Sequence, residues 1–241
     1  MKKYMFLILS LLFTSCTMNL PAHAALQNAL PETIGKNIAA VFRPESAAVT
    51  VKGQTAWIEI NGGIIDGIRI EKMKLLAILQ DVSTPDGSTD STSYLAQMIK
   101  SSKGEVVLAE KDVNDYFNKN ENPEGFSDLQ FDFKREGFTA SGKFRTRIII
   151  DIELPISAKG VLGLRNDGVY LENTVIKVEG MSQPEVLTNM ILSKLNPLLE
   201  FKDIPFPVTF EKITMTEKAA IMTGEPKEFK GGDTWKWKNL P

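Results

Sequence analysis

The chain of 241 residues has one cysteine, Cys16, and one histidine, His23, and both precede residue 25. The rest of the chain therefore has no thiol nucleophile, no imidazole general base, no disulfide and no zinc site built from these ligands. These absences favour a protein that is not an enzyme and that carries no metal or other cofactor. Function is then expected to depend on shape and apolar surface.

Two further absences narrow the class of protein. The 28 basic and 30 acidic side chains give a net charge of −2, so the basic excess typical of nucleic-acid binders is missing and we expect no nucleic-acid partner. No apolar stretch in the body of the chain approaches the about 20 residues that a membrane span needs. The hydrophobic share of 43% is typical of a folded domain.

Residues 1–24 are predicted to be a signal peptide. Met1-Lys2-Lys3 is a positive start, and Tyr4 to Phe13 is almost wholly apolar. Ala22-His23-Ala24 has the small-x-small pattern that a signal peptidase accepts, with cleavage before Ala25. An apolar segment of this length is too short to remain as a membrane span.

An alternative interpretation uses the cysteine. Phe13-Thr14-Ser15-Cys16 resembles a bacterial lipobox, in which the acylated Cys16 becomes the new N-terminus and a membrane anchor. Phe13 stands where leucine is usual, so we favour cleavage after Ala24. Both interpretations predict an exported protein of the periplasm or cell envelope.

The first part of the body is predicted to be one helix followed by strands. Apolar residues recur every four positions from Leu26 to Ile38, which is typical of an amphipathic helix, and Pro44 ends it. Asn61-Gly62-Gly63 is a turn signal, and the Ser-, Thr- and Asp-rich stretch 81–92 is expected to be a mobile loop. Strands are predicted over 47–51, 55–60, 68–78 and 105–108, and helices over 93–99 and 110–118.

The second part carries the clearest periodicity. From Phe144 to Leu154 alternate positions are apolar or threonine, which predicts one long strand with a buried and a solvated face. Asn166-Asp167-Gly168 predicts a hairpin turn, and Ser182 with Glu185 forms a capping box that begins an amphipathic helix. Further strands are predicted over 129–134, 156–164, 169–178, 208–215 and 219–222.

This order of elements predicts an α+β fold with a long, curved, mainly antiparallel β-sheet wrapping amphipathic helices. We expect one domain over 25–225 and a C-terminal tail over 226–241. If helices and sheet do not fill the concavity, an elongated apolar groove remains, which suits acyl chains.

Three stretches carry a resemblance to a known family. The first is Val49 to Gly53 with Gly62 to Ile70, similar to an "apolar–Gly–x–x–Asp–x–apolar–x–apolar" strand. The second is Leu108 to Asn114, similar to a "Leu-Thr-Glu-x-Asp-Leu-Asn" helix start with alanine in place of threonine. The third is Pro184 to Leu199 with the strand Pro205 to Ile213.

On these stretches the chain resembles the LmeA-type family of exported bacterial phospholipid-binding proteins, which is related to the tubular lipid-binding (TULIP) superfamily. The resemblance covers nearly all of the body and implies a TULIP-like half-barrel and lipid binding in the cell envelope. It supplies no catalytic motif. The loop at 81–92 departs from the family pattern.

Apolar residues of the strands and of the helix after Ser182 are candidates for the lining of the groove. The alternative, that they form a closed core, stays open because apolar alternation is the ordinary signature of burial. The candidates are Phe131, Phe133, Phe144, Ile148, Ile150, Ile152, Val186, Met190, Ile191 and Leu195.

Lys143, Arg145 and Arg147 share one strand face and are candidates for contact with lipid phosphates. The alternative is a solvated face balanced by Asp151 and Glu153. Whichever holds, catalysis by these two carboxylates is disfavoured because arginines lie beside them.

In the tail, Trp235 and Trp237 alternate with lysines, a composition that suits a membrane interface. The preceding Lys230 to Asp233 has the composition of a flexible linker. The alternatives are a frayed terminus or tryptophans that pack back on the domain.

The sequence thus favours an exported, non-enzymatic lipid-binding protein that holds the acyl chains of a phospholipid, or of another acyl-chain lipid, in an apolar groove. The alternative is an envelope scaffold or interaction module with a fully packed interior. A groove volume near zero would favour the alternative.

Overall fold

The computed structural model describes residues 22–80, 90–119, 125–147, 151–179 and 185–239. Within these ranges no helix is both long and apolar enough to cross a membrane. The helices are α1 (Ala22–Phe42), α2 (Ser91–Met98), α3 (Glu110–Phe117) and α4 (Glu185–Leu195). The strands are β1 (Ser46–Lys52), β2 (Thr55–Ile65), β3 (Ile68–Leu79), β4 (Ile99–Ala109), β5 (Phe126–Lys134), β6 (Gly137–Arg147), β7 (Asp151–Arg165), β8 (Gly168–Val178), β9 (Leu199–Glu200), β10 (Val208–Thr209), β11 (Lys212–Met215), β12 (Ala219–Thr223) and β13 (Asp233–Lys238).

These strands form two sheets, and all pairings are antiparallel except that of β10 with β4. The first sheet has the order β11-β12-β4-β3-β2-β1-β13, with β10 also beside β4. The second has the order β5-β6-β7-β8-β9. One sheet curls into a half-barrel, so the predicted α+β, TULIP-like architecture is confirmed.

The apolar stripe of α1 is confirmed as a core element. Ile34 and Ile38 are fully buried, Phe42 is 1% exposed, and the helix packs on β1, β2 and β13. The helix ends at Phe42, two residues before Pro44, because proline disfavours helical backbone in the residue before it, and Arg43 has a φ of +44°.

The turn between β2 and β3 is not at Asn61-Gly62-Gly63, as predicted, but at Asp66-Gly67. Residues 61–63 continue β2, with Gly62 at φ +67° and its Cα against the side chain of Glu45. Asp66 and Gly67 both have positive φ, 51° and 77°, which is the backbone of a tight two-residue hairpin. The even positions of β2 are buried up to Gly62 and the odd positions from Gly63, so the buried face of the strand changes at the two glycines.

The single long strand predicted through residues 144–154 is also wrong. β6 ends at Arg147 and β7 begins at Asp151, and these two residues are paired antiparallel. The alternation continues through both arms of this hairpin, so the periodicity alone cannot show where the chain reverses. The reversal falls where the sequence reads Ile-Ile-Ile, which carries no turn signal.

Helix α3 joins the two sheets by covering the free edge of β5. Glu110, Asn114 and Asn118, spaced four apart, face that edge. The side chain of Asn114 accepts from the N–H of Phe131 (2.7 Å) and donates to its carbonyl (3.0 Å). Glu110 accepts from the Phe133 N–H at 2.6 Å, and Asn118 donates to the Leu129 carbonyl at 2.8 Å. The helix therefore satisfies an edge that would otherwise be open to pairing with another chain.

On its other side α3 is tied to the first sheet by an ion pair. Asp112 is 5% exposed, and its Oδ2 accepts from Arg69 Nη1 of β3 at 2.9 Å. Arg69 also donates to Glu45 from Nε and Nη2, at 3.0 and 2.8 Å. One arginine thus holds α3, β3 and the segment before β1 together.

The C-terminal tail is built into the first sheet. β13 pairs with β1 from Ser46↔Lys238 to Val51↔Asp233, and Trp235 packs against the core beside Gly35 of α1. This is the predicted alternative in which a tryptophan packs back on the domain. The residues read as a linker, Lys230 to Asp233, lead directly into this strand. The proposed boundary at residue 225 stays a prediction.

Nine residues, 224–232, connect β12 to β13 across the sheet, and we call them the strap. The Gly224 N–H donates to the Gly104 carbonyl of β4, and Lys52 Nζ of β1 donates to the Lys230 carbonyl at 3.2 Å. Five strand spacings separate β12 from β13, about 24 Å, which is within the about 30 Å that nine extended residues can reach.

Candidate functional site

The apolar face of the second sheet and the inner face of α4 form the candidate site. The buried side of α4 consists of Leu187, Ile191 and Leu195, spaced four apart, and the helix lies against β8. This spacing confirms the predicted amphipathic helix. The capping residue Ser182 lies outside the described residues.

Aromatic side chains cover much of that sheet face. Phe131 lies at the centre, with its ring centroid 5.6 Å from Phe138, 5.7 Å from Phe117 of α3 and 6.5 Å from Phe133. The ring centroids of Phe126 and Phe144, 5.1 Å apart, form a second pair on the same strands. These residues alternate along β5 and β6 with polar ones, so one face of the sheet is aromatic and the other is exposed to solvent.

Between α4 and this face lies a cavity whose walls are apolar except for one threonine. Its volume is about 10 Å³, which is close to the space of a single water molecule. Pockets for drug-sized ligands measure about 300–1,000 Å³. The space is therefore closed in this structure. Its lining residues are Leu129, Phe131, Phe138, Ala140, Ile156, Ala158, Leu171, Thr174, Ile176, Ile191 and Leu195.

The C-terminal end of α4 is pinned to β8 by polar bonds, whereas its inner face makes apolar contacts. Asn196, directly after the helix, accepts from the Leu171 N–H at 2.7 Å and donates to the Leu171 carbonyl at 3.1 Å. The Leu198 N–H donates to the Val169 carbonyl at 2.8 Å. At the other end Val186 is 80% exposed. Apolar contacts are non-directional, so α4 can pivot about the Asn196 anchor at lower cost than it can leave the sheet.

Replacing Asn196 by alanine is expected to lower the free energy of unfolding by about 2 kcal/mol, because it leaves the part-buried N–H and carbonyl of Leu171 without their partners. Urea denaturation monitored by tryptophan fluorescence measures the change. Asn37→Ala, which removes one exposed side-chain bond within α1, serves as the comparison and should cost less. Equal losses for the two variants would contradict the anchoring role of Asn196.

The predicted groove residues do not all lie at this cavity. The cavity is lined by three of them, Phe131, Ile191 and Leu195. Two more, Phe133 and Phe144, are buried beside it. Met190 is half-buried against the core. Val186 is off the buried stripe, because it lies one position before Leu187 and the helix turns it to solvent. Ile148 and Ile150, and the side chain of Ile152, lie outside the described residues. Whether any of them contacts lipid stays a prediction.

The predicted phosphate-binding face is largely neutralised. Lys143 Nζ lies 2.9 Å from Asp128 and 3.4 Å from Glu153, and Arg145 lies 3.2 Å from Glu153. The hydrogen bonds to Asp128 and Glu153 raise the pKa of Lys143, and those from Arg145 and Lys143 lower the pKa of Glu153. The side chain of Arg147 is outside the described residues. Of the two carboxylates expected to balance this face, Glu153 is a partner of Lys143 and Arg145, and the side chain of Asp151 is outside the described residues. A headgroup role for Lys143 and Arg145 stays a prediction.

The tryptophans of the tail point toward the α1 side of the first sheet. Trp235 pairs with Val49 and Trp237 with Ala47, residues that are buried on that side. The alternating Lys236 and Lys238 consequently lie on the opposite face, and both are exposed. A membrane role for Trp235 and Trp237 stays a prediction.

Sequence reasoning missed the polar side chains that hold the site in place. Glu110, Asn114 and Asn118 have a visible signal, a spacing of four along a helix, but their partners on β5 cannot be read from it. Asn196 lies in a stretch that carried the family resemblance, and its bond partner is 25 residues away. Cys16 is outside the described residues, and among the described ones no cluster of three or more His, Cys, Asp or Glu is placed to hold a metal.

Comparison with known protein families identifies the family of this chain. A family model described as LmeA-like phospholipid-binding matches residues 35–225, which cover α1 from its middle through the end of β12. No curated protein and no solved structure gives a significant match. The matched range contains α4, both sheets up to β12 and the Asn196 anchor, and it ends before β13.

Proposed function

The chain belongs to the LmeA-like phospholipid-binding family, and we propose that it binds phospholipid by taking the acyl chains between α4 and the aromatic face of β5 to β8. The observation that carries the proposal is the cavity under α4, whose lining is apolar and which is covered by a helix with one polar anchor. The proposed role is non-enzymatic: binding alone, in maintenance of the envelope or transport of lipid.

Binding in this place requires α4 to swing outward, because a cavity of about 10 Å³ cannot hold an acyl chain. The movement does not leave Leu187, Ile191 and Leu195 in water, since the entering chain takes the place of the sheet against them. Each CH₂ removed from water contributes about 0.8 kcal/mol. Even a few methylenes would thus offset the lost contacts between α4 and β8.

The proposal includes export. Cleavage before Ala25 would release a diffusible binding protein into the periplasm or cell envelope, whereas acylation of Cys16 would tether the same site to a membrane. Substitution of Cys16 by alanine separates these two forms. Release of the same mature species by the variant supports the diffusible form, and its loss from the membrane fraction supports the anchored one.

A second candidate function is favoured by one observation, the small volume of the cavity. A cavity of about 10 Å³ between well-packed phenylalanines is also what an envelope scaffold or interaction module with a closed interior would show. Such a module would bind a protein partner on its surface and no lipid in its core.

Native mass spectrometry of the purified protein distinguishes the two candidates. The lipid-binding proposal predicts a species heavier than the chain by the mass of one phospholipid, and displacement of that lipid by a fluorescent fatty acid. A protein that carries no lipid and binds no such probe would be the closed module.

A further inference from the structure

Five lysines of β1, β3 and β13 project from the face of the first sheet that points away from α1. The strand pairing and the pleat place them on the same side of the sheet. We call this surface the lysine face. Its members are Lys52, Lys72, Lys74, Lys236 and Lys238.

The register places these lysines in two neighbouring rows across four strands. One row reads Lys238, Ser46, Asn61, Lys72 from β13 to β3, and the next reads Lys236, Ala48, Glu59, Lys74. Each row therefore has a cation at both ends, with Ser46 and Asn61 between them in the first row and Ala48 and Glu59 in the second. An open depression of about 310 Å³ lies over part of these two rows, and Lys236 and Lys238 are among the residues that line it.

The charge of this surface is opposite in sign to that of the protein. The two rows hold four lysines and one carboxylate, Glu59, which together give +3, against −2 for the whole chain. Among the described residues only Lys74 of the five has a carboxylate within 4.0 Å, Glu105 at 3.6 Å. By contrast, Lys143 and Arg145 on the second sheet are both paired.

We propose that the lysine face docks the protein on the anionic headgroups of a lipid bilayer. Charge complementarity favours this occupant: exposed cations close to a surface of anionic lipid are attracted within a Debye length. The proposal rests on the proposed function, because a protein that takes up phospholipid must meet the membrane that supplies it. It also gives a role to β13, which lies beyond the family match and supplies two of the five lysines.

The test compares two charge-matched variants in a sedimentation assay with vesicles. Lys236→Gln/Lys238→Gln removes two cations of the lysine face, and Lys111→Gln/Lys134→Gln removes two paired cations that lie outside it, on α3 and β5. Both bring the net charge from −2 to −4. The vesicles contain phosphatidylcholine with phosphatidylglycerol, or phosphatidylcholine alone, and circular dichroism verifies that both variants fold.

The first variant is expected to bind mixed vesicles about 30-fold more weakly than the unmodified protein, from about 1 kcal/mol for each lysine near an anionic surface. The control variant should bind like the unmodified protein, and phosphatidylcholine alone should bind none of the three. Equal weakening in both variants, or no weakening in the first, would overturn the proposal and leave the lysines as protection of an edge strand or a site for an acidic protein.

Native mass spectrometry of the same samples separates this proposal from the proposed function. If the Lys236→Gln/Lys238→Gln protein still carries a phospholipid but loses vesicle binding, both hold. Vesicle binding that depends on the lysines, by a protein that never carries lipid, would remove the acyl site and keep the docking surface. If the protein retains lipid and its vesicle binding does not change when the two lysines are replaced, the docking surface is removed and the acyl site is kept.

Discussion

Replacing Ala158 by phenylalanine is expected to reduce the phospholipid retained by the protein by about 10-fold or more. Ala158 is half-buried on β7 and lines the cavity under α4. A ring at this position takes the space of two or more methylenes of an acyl chain, each contributing about 0.8 kcal/mol, and about 1.4 kcal/mol corresponds to a factor of ten. Lipid per protein, extracted and quantified by mass spectrometry, is the measurement.

The matched control is Val175→Phe, which adds an aromatic ring to the same sheet. Val175 is 54% exposed on β8 and faces the solvated side, away from α4. It should retain lipid like the unmodified protein. Overpacking by Ala158→Phe is expected to lower the free energy of unfolding by about 1–3 kcal/mol, which a folded domain can tolerate. Equal retention in both variants would show that the acyl chains do not lie under α4.

The largest expected effect on stability is that of Arg69→Met, a loss of about 3 kcal/mol in the free energy of unfolding. The substitution leaves Asp112, which is 5% exposed, without its cation, and an unpaired buried charge costs about 3–5 kcal/mol. The lower end applies because the arginine side chain is itself 39% exposed. Chemical denaturation measures the loss.

Two companion variants test the cause of that loss. In Arg69→Met/Asp112→Leu the buried charge is absent, and at least half of the lost stability should return. Lys111→Met removes the cation of an exposed i,i+4 pair with Asp115 on the same helix and should cost less than about 0.5 kcal/mol. A double variant no more stable than Arg69→Met would contradict the assignment of the loss to an unpaired Asp112.

Periodicity predicted the elements of this fold well where each had a pattern of its own. The helices α3 and α4 and the strands β5 and β8 are found close to where apolar spacing placed them. The hairpin of β6 and β7 was missed because its two arms share one alternation and the residues between them are three isoleucines. The turn signal Asn61-Gly62-Gly63 also gave a wrong prediction. The chain does not reverse there, and the glycines lie where the buried face of β2 changes.

The candidate site was predictable in its composition and not in its form. Alternation identifies Phe131 and Ile191 as buried, but it cannot distinguish a groove from a closed cavity, since that difference lies in how closely α4 approaches the sheet. The pairings that set this approach join distant parts of the chain, such as Asn196 with Leu171 and Asp112 with Arg69. The same limit applies to β13, whose place beside β1 has no local signal.

Acyl-chain binding under α4 is tested most directly by photo-cross-linking with a phospholipid that carries a diazirine near the end of one acyl chain. After irradiation and proteolysis, labelled peptides are expected from α4 and from the facing strands, with Ile191, Leu171 and Phe131 as the expected sites. Ala158→Phe should abolish this labelling and Val175→Phe should not. Labelling confined to the outer face of the sheets, or none at residues under α4, would contradict acyl-chain binding between α4 and the second sheet.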